Sequence, residues 1–327
     1  MDAIPTDAEL FDALQGVLEE EGSAPLRKVR RRQSEYRTSF PLEELEVELD
    51  GGAGLRLAFK RLEWGGLDEA ARLAKPRFLH DPRREPAVYA SLLEPAGIGS
   101  PRYHGAIVEP QRERCWLFVE WVDGRELYQV GERELWEATA RWLGRLHAKF
   151  GMDLERCMAA GRLVDHDAAF YRRWMTRARE FARAPTRSAD YAAAVEWLGK
   201  KHEPVVEALL ALPRTVIHGE FYASNVLVAT DTAAPRIAPV DWELAAVGPG
   251  ATDLAALVSG AWSGEDRAAI VSAYGAAEHV SPGKLELARL QLAIQWLGWA
   301  PAEWVPPDGQ RQDWLGEALE LAEGLGL

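Results

Sequence analysis

Four polar residues gather in the stretch 216–243: His218, Glu220, Asn225 and Asp241. Two short apolar runs, Val226-Leu227-Val228 and Ile237-Ala238-Pro239-Val240, read as strands, with a turn-rich connection from Thr230 to Pro235 between them. Paired as an antiparallel hairpin, they bring Asn225 and Asp241 to the same end, although 16 positions separate the two in the chain. A carboxylate and an amide oxygen beside a further carboxylate suit a hard cation that carries phosphates. Phosphoryl transfer from a nucleoside triphosphate needs such a set.

Other elements must supply a grip on the phosphates. Residues 26–62 alternate polar and apolar in Arg27–Arg30, Leu45–Leu49 and Leu55–Lys60, the pattern of half-exposed strands, and Asp50-Gly51-Gly52 signals a hairpin. Lys60 falls in the third of these strands. Glu85 opens a predicted helix over 85–93, with Pro86 at an allowed early position. A strand lysine paired with a helix glutamate aims an ammonium at phosphates. The loop 33–40, which contains Ser34, Thr38 and Ser39, lies between the first two strands and has no glycine. The apolar run 115–122 predicts a buried strand, broken by Asp123-Gly124, where a short linker would hinge a β-rich part to a helical part.

Helical spacing predicts helices over 6–21, 132–150, 167–183 and 189–212. Further helices are expected over 252–260, 265–274, 283–299 and 312–325. Thr6 and Glu9 form a capping box for the first. His147 reads as a satisfied core histidine, since no partner lies at metal-ligand spacing.

The chain has 327 residues and a net charge of −13. Residues 1–22 carry seven acids and no base, and residues 301–327 carry six acids and Arg311, so the body is near neutral. This balance argues against a nucleic-acid partner. No apolar run approaches the ~18 residues of a membrane span and no secretory signal opens the chain. Cys115 and Cys157 fit buried thiols in a reducing cytoplasm, the expected location.

The landmarks together resemble a known family. His218-Gly219-Glu220 with Asn225, then Asp241-Trp242-Glu243, then the run Gly248–Ala255, look like the aminoglycoside phosphotransferase family, related to choline kinases. The order upstream fits as well: Lys60, Glu85, the run Leu117–Gly124 and the run Leu143–Ala148. The resemblance spans roughly residues 26–260 and implies an α+β, two-lobed protein-kinase-like fold. A small β-rich N-lobe would cover 1–121 and a larger helical C-lobe 122–327.

It also implies roles. Lys60 would hold the α/β-phosphates of ATP or GTP, steadied by Glu85, with Ser34, Thr38 and Ser39 over the phosphates. The backbone of Glu120 and Val122 would take the adenine edge. Asn225 and Asp241 would bind Mg²⁺, while His218 and Asp253 brace the loops. Glu220 would orient the acceptor hydroxyl and take its proton. Trp242, Glu243, Trp296, Trp299 and Trp304 are candidates to line the acceptor site, and a flat aromatic wall suits a sugar or a cation. The implied acceptor is an aminoglycoside, amino sugar, sugar or choline-like molecule, and the implied state a monomer or weak dimer.

One departure stands out. The family usually carries aspartate where this chain has Glu220, whose arm is longer by about 1.5 Å. The expectation is a loop reshaped to accept it. The alternative is a nucleotide-binding module with little or no transfer.

Overall fold

The computed structural model describes residues 4–34, 36, 39–230, 235–275, 280–301 and 312–327. The first helix, Asp7–Glu20, begins at the expected capping box: the Glu9 N–H donates to Thr6 Oγ1 (3.2 Å), and the Thr6 N–H donates to the Glu9 carboxylate (2.9 Å). Its Leu10, Leu14, Val17 and Leu18 form one buried face. That face lies on an antiparallel sheet of β1 (Leu26–Gln33), β2 (Leu42–Leu49), β3 (Gly54–Arg61), β4 (Tyr103–Glu109) and β5 (Arg114–Glu120), in the order β1-β2-β3-β5-β4.

The two-residue period of a strand decides what faces where. Leu57 and Phe59 of β3 join Trp116 and Phe118 of β5 under the helix. Ala58 and Lys60 therefore point to the opposite face, where Lys60 sits between Leu42 and Leu117 of the flanking strands. Each fully buried leucine under the helix contributes roughly 2 kcal/mol, which holds β3 in this register. A slip by one residue would exchange Lys60 for Phe59 in the interior.

The rest of the chain is mainly helical, with short strands β6 (Arg125–Glu126), β7 (Val164–Asp165), β8 (Arg214–Ile217), β9 (Val226–Ala229), β10 (Arg236–Pro239) and β11 (Ala246–Pro249). The expected hairpin is β9–β10, with Pro239 opposite Val226. Helices run over Arg133–Phe150, Ala168–Ala182, Ala189–Leu210, Ala251–Leu257, Gly264–Tyr274, Pro282–Leu297 and Trp314–Gly324, close to the expected spans. Around Glu85 the helix is α-helical over Arg84–Val88 and widens into a π-turn over Tyr89–Leu93. The architecture is the α+β one that the sequence suggests, a β-rich N-terminal part followed by a mainly helical one. Among the described residues no helix is long and apolar enough to cross a membrane.

One fold feature sets an acid limit. His166 follows β7, stacks on Phe170 with ring centres 3.9 Å apart, and has no partner for Nδ1 among the described residues. Burial pushes the ring from 6.5 down to about 3, so it folds neutral. Protonation in the unfolded chain then favours unfolding as pH falls below 6.5. From pH 8 to pH 5 this one residue costs about 2 kcal/mol of stability. Urea titrations of His166→Phe at both pH values should show that much less acid sensitivity than the native chain.

Candidate functional site

Lys60 and Asp241 stand 181 residues apart in sequence, yet Lys60 Nζ meets the Asp241 carboxylate at 2.5 Å and the Glu85 carboxylate at 2.8 Å. The ammonium is almost wholly buried. Burial works against its charge, but Asp241 and Glu85 outweigh burial and hold it well above its ordinary value. One cation cannot fully offset two buried carboxylates. Burial tends to raise both; Lys60, with help from Lys75, keeps Asp241 low, while burial and the Asp241 charge leave Glu85 raised.

Asp241 leaves β10 in the left-handed region, at φ 66°. That conformation costs a non-glycine residue of order 1–3 kcal/mol and concentrates at functional sites. The Val240 N–H donates to the Asn225 carbonyl (2.9 Å), so the hairpin carries both residues to one end. Asn225 turns its amide nitrogen to the Glu220 carbonyl (2.9 Å), which leaves its side-chain oxygen to act as a ligand.

His218 braces both loops at once. Its Nε2–H donates to the Val240 carbonyl (2.8 Å), and its Nδ1 accepts from the Glu220 N–H (3.3 Å). Burial lowers its pKa, so Nδ1 stays free to accept. Asp253 accepts from the His218 N–H (2.7 Å), the Gly219 N–H (2.9 Å) and His147 Nε2 (3.2 Å). His147 also pairs with the Tyr274 hydroxyl (2.7 Å), so it is satisfied in the core, as expected. Gly219 sits at φ 87°, and a Cβ there would collide with the Leu244 carbonyl. Only glycine lets the two loops approach this closely.

Lys60, Glu85, Glu220, Asn225, Asp241 and Glu243 share one cleft of about 1680 Å³. Burial and the nearby Glu243 and Asp241 carboxylates push Glu220 up to about 8. At the far wall the Val122 N–H has no acceptor among the described residues. The Glu120 N–H already donates to the Arg102 carbonyl (2.8 Å), so only the Glu120 carbonyl can serve a ligand. The Glu120 side chain is committed elsewhere, to a two-pronged pair with Arg236 of β10 (2.5 and 2.8 Å).

The profile described as the phosphotransferase enzyme family matches residues 48–292. The chain belongs to that family. Among solved structures it is similar to aminoglycoside 2'-phosphotransferase-IIIa, at 13% identity and a TM-score of 0.58, over 98% of each chain. It is similar to a choline kinase from Cryptosporidium parvum Iowa II, at 15% identity and a TM-score of 0.59, over 98% of this chain and 94% of that one. A macrolide 2'-phosphotransferase from Brachybacterium faecium gives 20% identity and a TM-score of 0.54, over 88% and 90%. These likenesses are of fold. No curated protein matches. The chain is thus a member of the phosphotransferase enzyme family with the kinase-like fold.

In this phosphotransferase the aromatic candidates separate. Trp296 and Trp299 line the cleft. Trp242 does not: it is fully buried, packed on His218 with ring centres 4.5 Å apart, and its indole N–H donates to the Pro239 carbonyl. The apolar ring completes the core beneath the loop, so it is no acceptor residue. Glu243 reaches the cleft, but its carboxylate is taken by Lys75. Ser39 lines the cleft, and Ser34 Oγ accepts from the Tyr36 N–H (3.1 Å). Thr38 and Trp304 lie outside the described residues.

Sequence reasoning passed over Tyr36, Lys75, Tyr222 and Arg236. Tyr36 donates its hydroxyl to the Gly124 carbonyl (3.2 Å) and packs on Trp121, tying the glycine-free loop to the hinge. A tyrosine in a loop without glycine was the available signal. Lys75 and Arg236 gave none, since their acidic partners lie 168 and 116 positions away.

Proposed function

We propose that the protein transfers the γ-phosphoryl group of ATP or GTP to a hydroxyl of a small molecule, in line and with Mg²⁺. The observation that supports this most is Lys60 bridging Glu85 and Asp241 in the cleft that also holds Glu220 and Asn225.

The residues present fit a divalent cation. The carboxyls Glu85, Glu220, Asp241 and Glu243 outnumber Lys60 and Lys75, and Glu220 is raised by burial first and then by the Glu243 and Asp241 charges. Asp241 and the Asn225 side-chain oxygen would hold Mg²⁺. Bound there with the triphosphate, the ion would neutralise charge on the phosphate oxygens.

The protein's own groups do the rest. Lys60, fixed by Glu85, grips the α/β-phosphates. Ser34, Thr38 and Ser39 cover them. The Glu120 carbonyl and Val122 N–H take the base edge. Glu220, in the place of the usual aspartate, orients the acceptor hydroxyl and accepts its proton. His218 and Asp253 hold the two loops at fixed spacing. Residues 1–121 and 122–327 act as the two lobes, joined at Trp121–Gly124.

Thermal unfolding with and without Mg²⁺ tests this. ATP or GTP at about a hundred times its Kd should stabilise the chain by about 2.7 kcal/mol. Asp241→Asn should make that gain insensitive to Mg²⁺, and Lys60→Met should remove most of it. A native chain that neither nucleotide stabilises would falsify the reading.

A further inference from the structure

Arg236 crosses from the helical part of the chain to the β-rich part. It opens β10, and its guanidinium reaches Glu120 at the end of β5, where Nη1 donates to Oε1 (2.5 Å) and Nη2 to Oε2 (2.8 Å). Nη2 also donates to the Ser100 carbonyl (3.1 Å), and Nε to the Gly99 carbonyl (3.3 Å). Gly99 and Ser100 lie just past the helical stretch that carries Glu85, so one side chain joins β10 to β5 and to the segment behind Glu85. Glu120 Oε2 accepts from the Arg102 N–H as well (3.0 Å). The Arg236 fork holds the Glu120 carboxyl below its ordinary value, against the opposing effect of burial.

The other end of β10 is fixed too. The Val240 carbonyl accepts from His218 Nε2–H (2.8 Å), the Val240 N–H donates to the Asn225 carbonyl (2.9 Å), and Asp241 follows. Between the two ends Ala238 is fully buried, and every residue of β10 pairs with β9. The strand is a short stiff piece, with Glu120 held at its start and Asp241 carried past its end. In the proposed function the Glu120 carbonyl takes the base edge and Asp241 binds Mg²⁺. The two ends of one nucleoside triphosphate thus fall to groups at the two ends of this strand. The Arg236 and Glu120 side chains are 33% and 31% exposed, and partly exposed ion pairs add little to stability. A fork that uses all three guanidinium nitrogens gives direction instead.

We infer that Arg236 is a positioning residue for the nucleotide: by joining Glu120 to the strand that ends at Asp241, it sets the span between the base edge and the metal site. This rests on the phosphotransferase reading and adds to it a residue that touches neither substrate. A ligand that engages both ends at once depends on that span. A ligand that engages the base end alone does not.

The test compares two probes by calorimetric titration, Mg²⁺·ATP and adenosine, with GTP and guanosine in their place if only GTP stabilises the native chain. Arg236→Gln should raise the Kd for Mg²⁺·ATP about tenfold and leave the Kd for adenosine within about twofold. Glu120→Gln should do the same, and the double variant should be no worse than either single one, because both remove one link. Should one single variant fail to fold in urea titrations, the other carries the same comparison. An unchanged Kd for Mg²⁺·ATP overturns the inference. Equal weakening of both probes overturns it as well, since that marks damage to the base end alone, and so do losses that add in the double variant. A native chain that binds neither triphosphate overturns the phosphotransferase reading itself, and this inference with it.

Discussion

Glu220→Gln should lower kcat by about 10²–10⁴-fold while making the nucleotide-free protein more stable. The loss follows from removing the carboxylate that the proposed mechanism uses to take the acceptor proton. The gain follows from the same surroundings. Burial, Glu243 and Asp241 push Glu220 from 4.5 up to about 8 in the folded chain. A carboxyl raised on folding favours the native state while it is protonated, fully below 4.5, and this contribution disappears as pH rises through about 8. Glutamine keeps the neutral form at every pH. The stability difference should therefore widen from pH 7 to pH 9, reaching a few kcal/mol. Thermal melts across that range check the sign, and a gain that shrinks with rising pH would contradict it. Opposite effects on turnover and stability mark a residue kept for function. Glu220→Asp separates two views of the longer arm. If the loop is built for glutamate, shortening the arm by about 1.5 Å should cost roughly 10²-fold in turnover. Higher turnover in the aspartate variant would show that the loop still has the shape the family's aspartate uses.

The fold was largely legible because its strongest signals are periodic. The face Leu10, Leu14, Val17 and Leu18 is written at helical spacing, and β3 alternates, so the placement of Lys60 opposite the helix follows from Leu57 and Phe59. The hairpin carrying Asn225 and Asp241 was readable from two short apolar runs around a turn-rich connection. What escaped was short or non-local. β4 begins with an irregular register at Tyr103 and Gly105 and shows no clean alternation. β7, β8 and β11 have two to four residues each and form only because the chain returns to pair them. The indole of Trp242 looked like a wall residue on the strength of its neighbours in sequence. The left-handed turn at Asp241 sends it into the core instead. Side-chain pairs were the least legible layer. Lys75–Glu243 and Arg236–Glu120 each join residues with no local pattern in common.

Lys75→Met should show how much the cleft depends on one such pair. Lys75 follows the helix Glu69–Ala74, is almost wholly buried, and lies 4.6 Å from the centre of the Phe40 ring, which Lys60 approaches from 5.7 Å. Its partner Glu243 is fixed through its backbone as well, because Arg84 donates to the Glu243 carbonyl (2.5 Å). With Lys75 gone, Glu243 cannot swing out to solvent. It stays as an uncompensated charge beside Glu220 and Asp241, a loss that typically costs 3–5 kcal/mol. Lys75 is also one of two cations that hold Glu220 down, so turnover should fall together with stability. The double variant Lys75→Met with Glu243→Gln distinguishes a charge effect from a packing effect. Removing both partners leaves no orphaned charge, so urea unfolding should recover most of the loss, with a coupling of about 2 kcal/mol or more. Turnover should return to within about tenfold of the native value. A double variant as unstable as Lys75→Met alone would mean that the lysine stem, packed on Phe40, matters more than its charge.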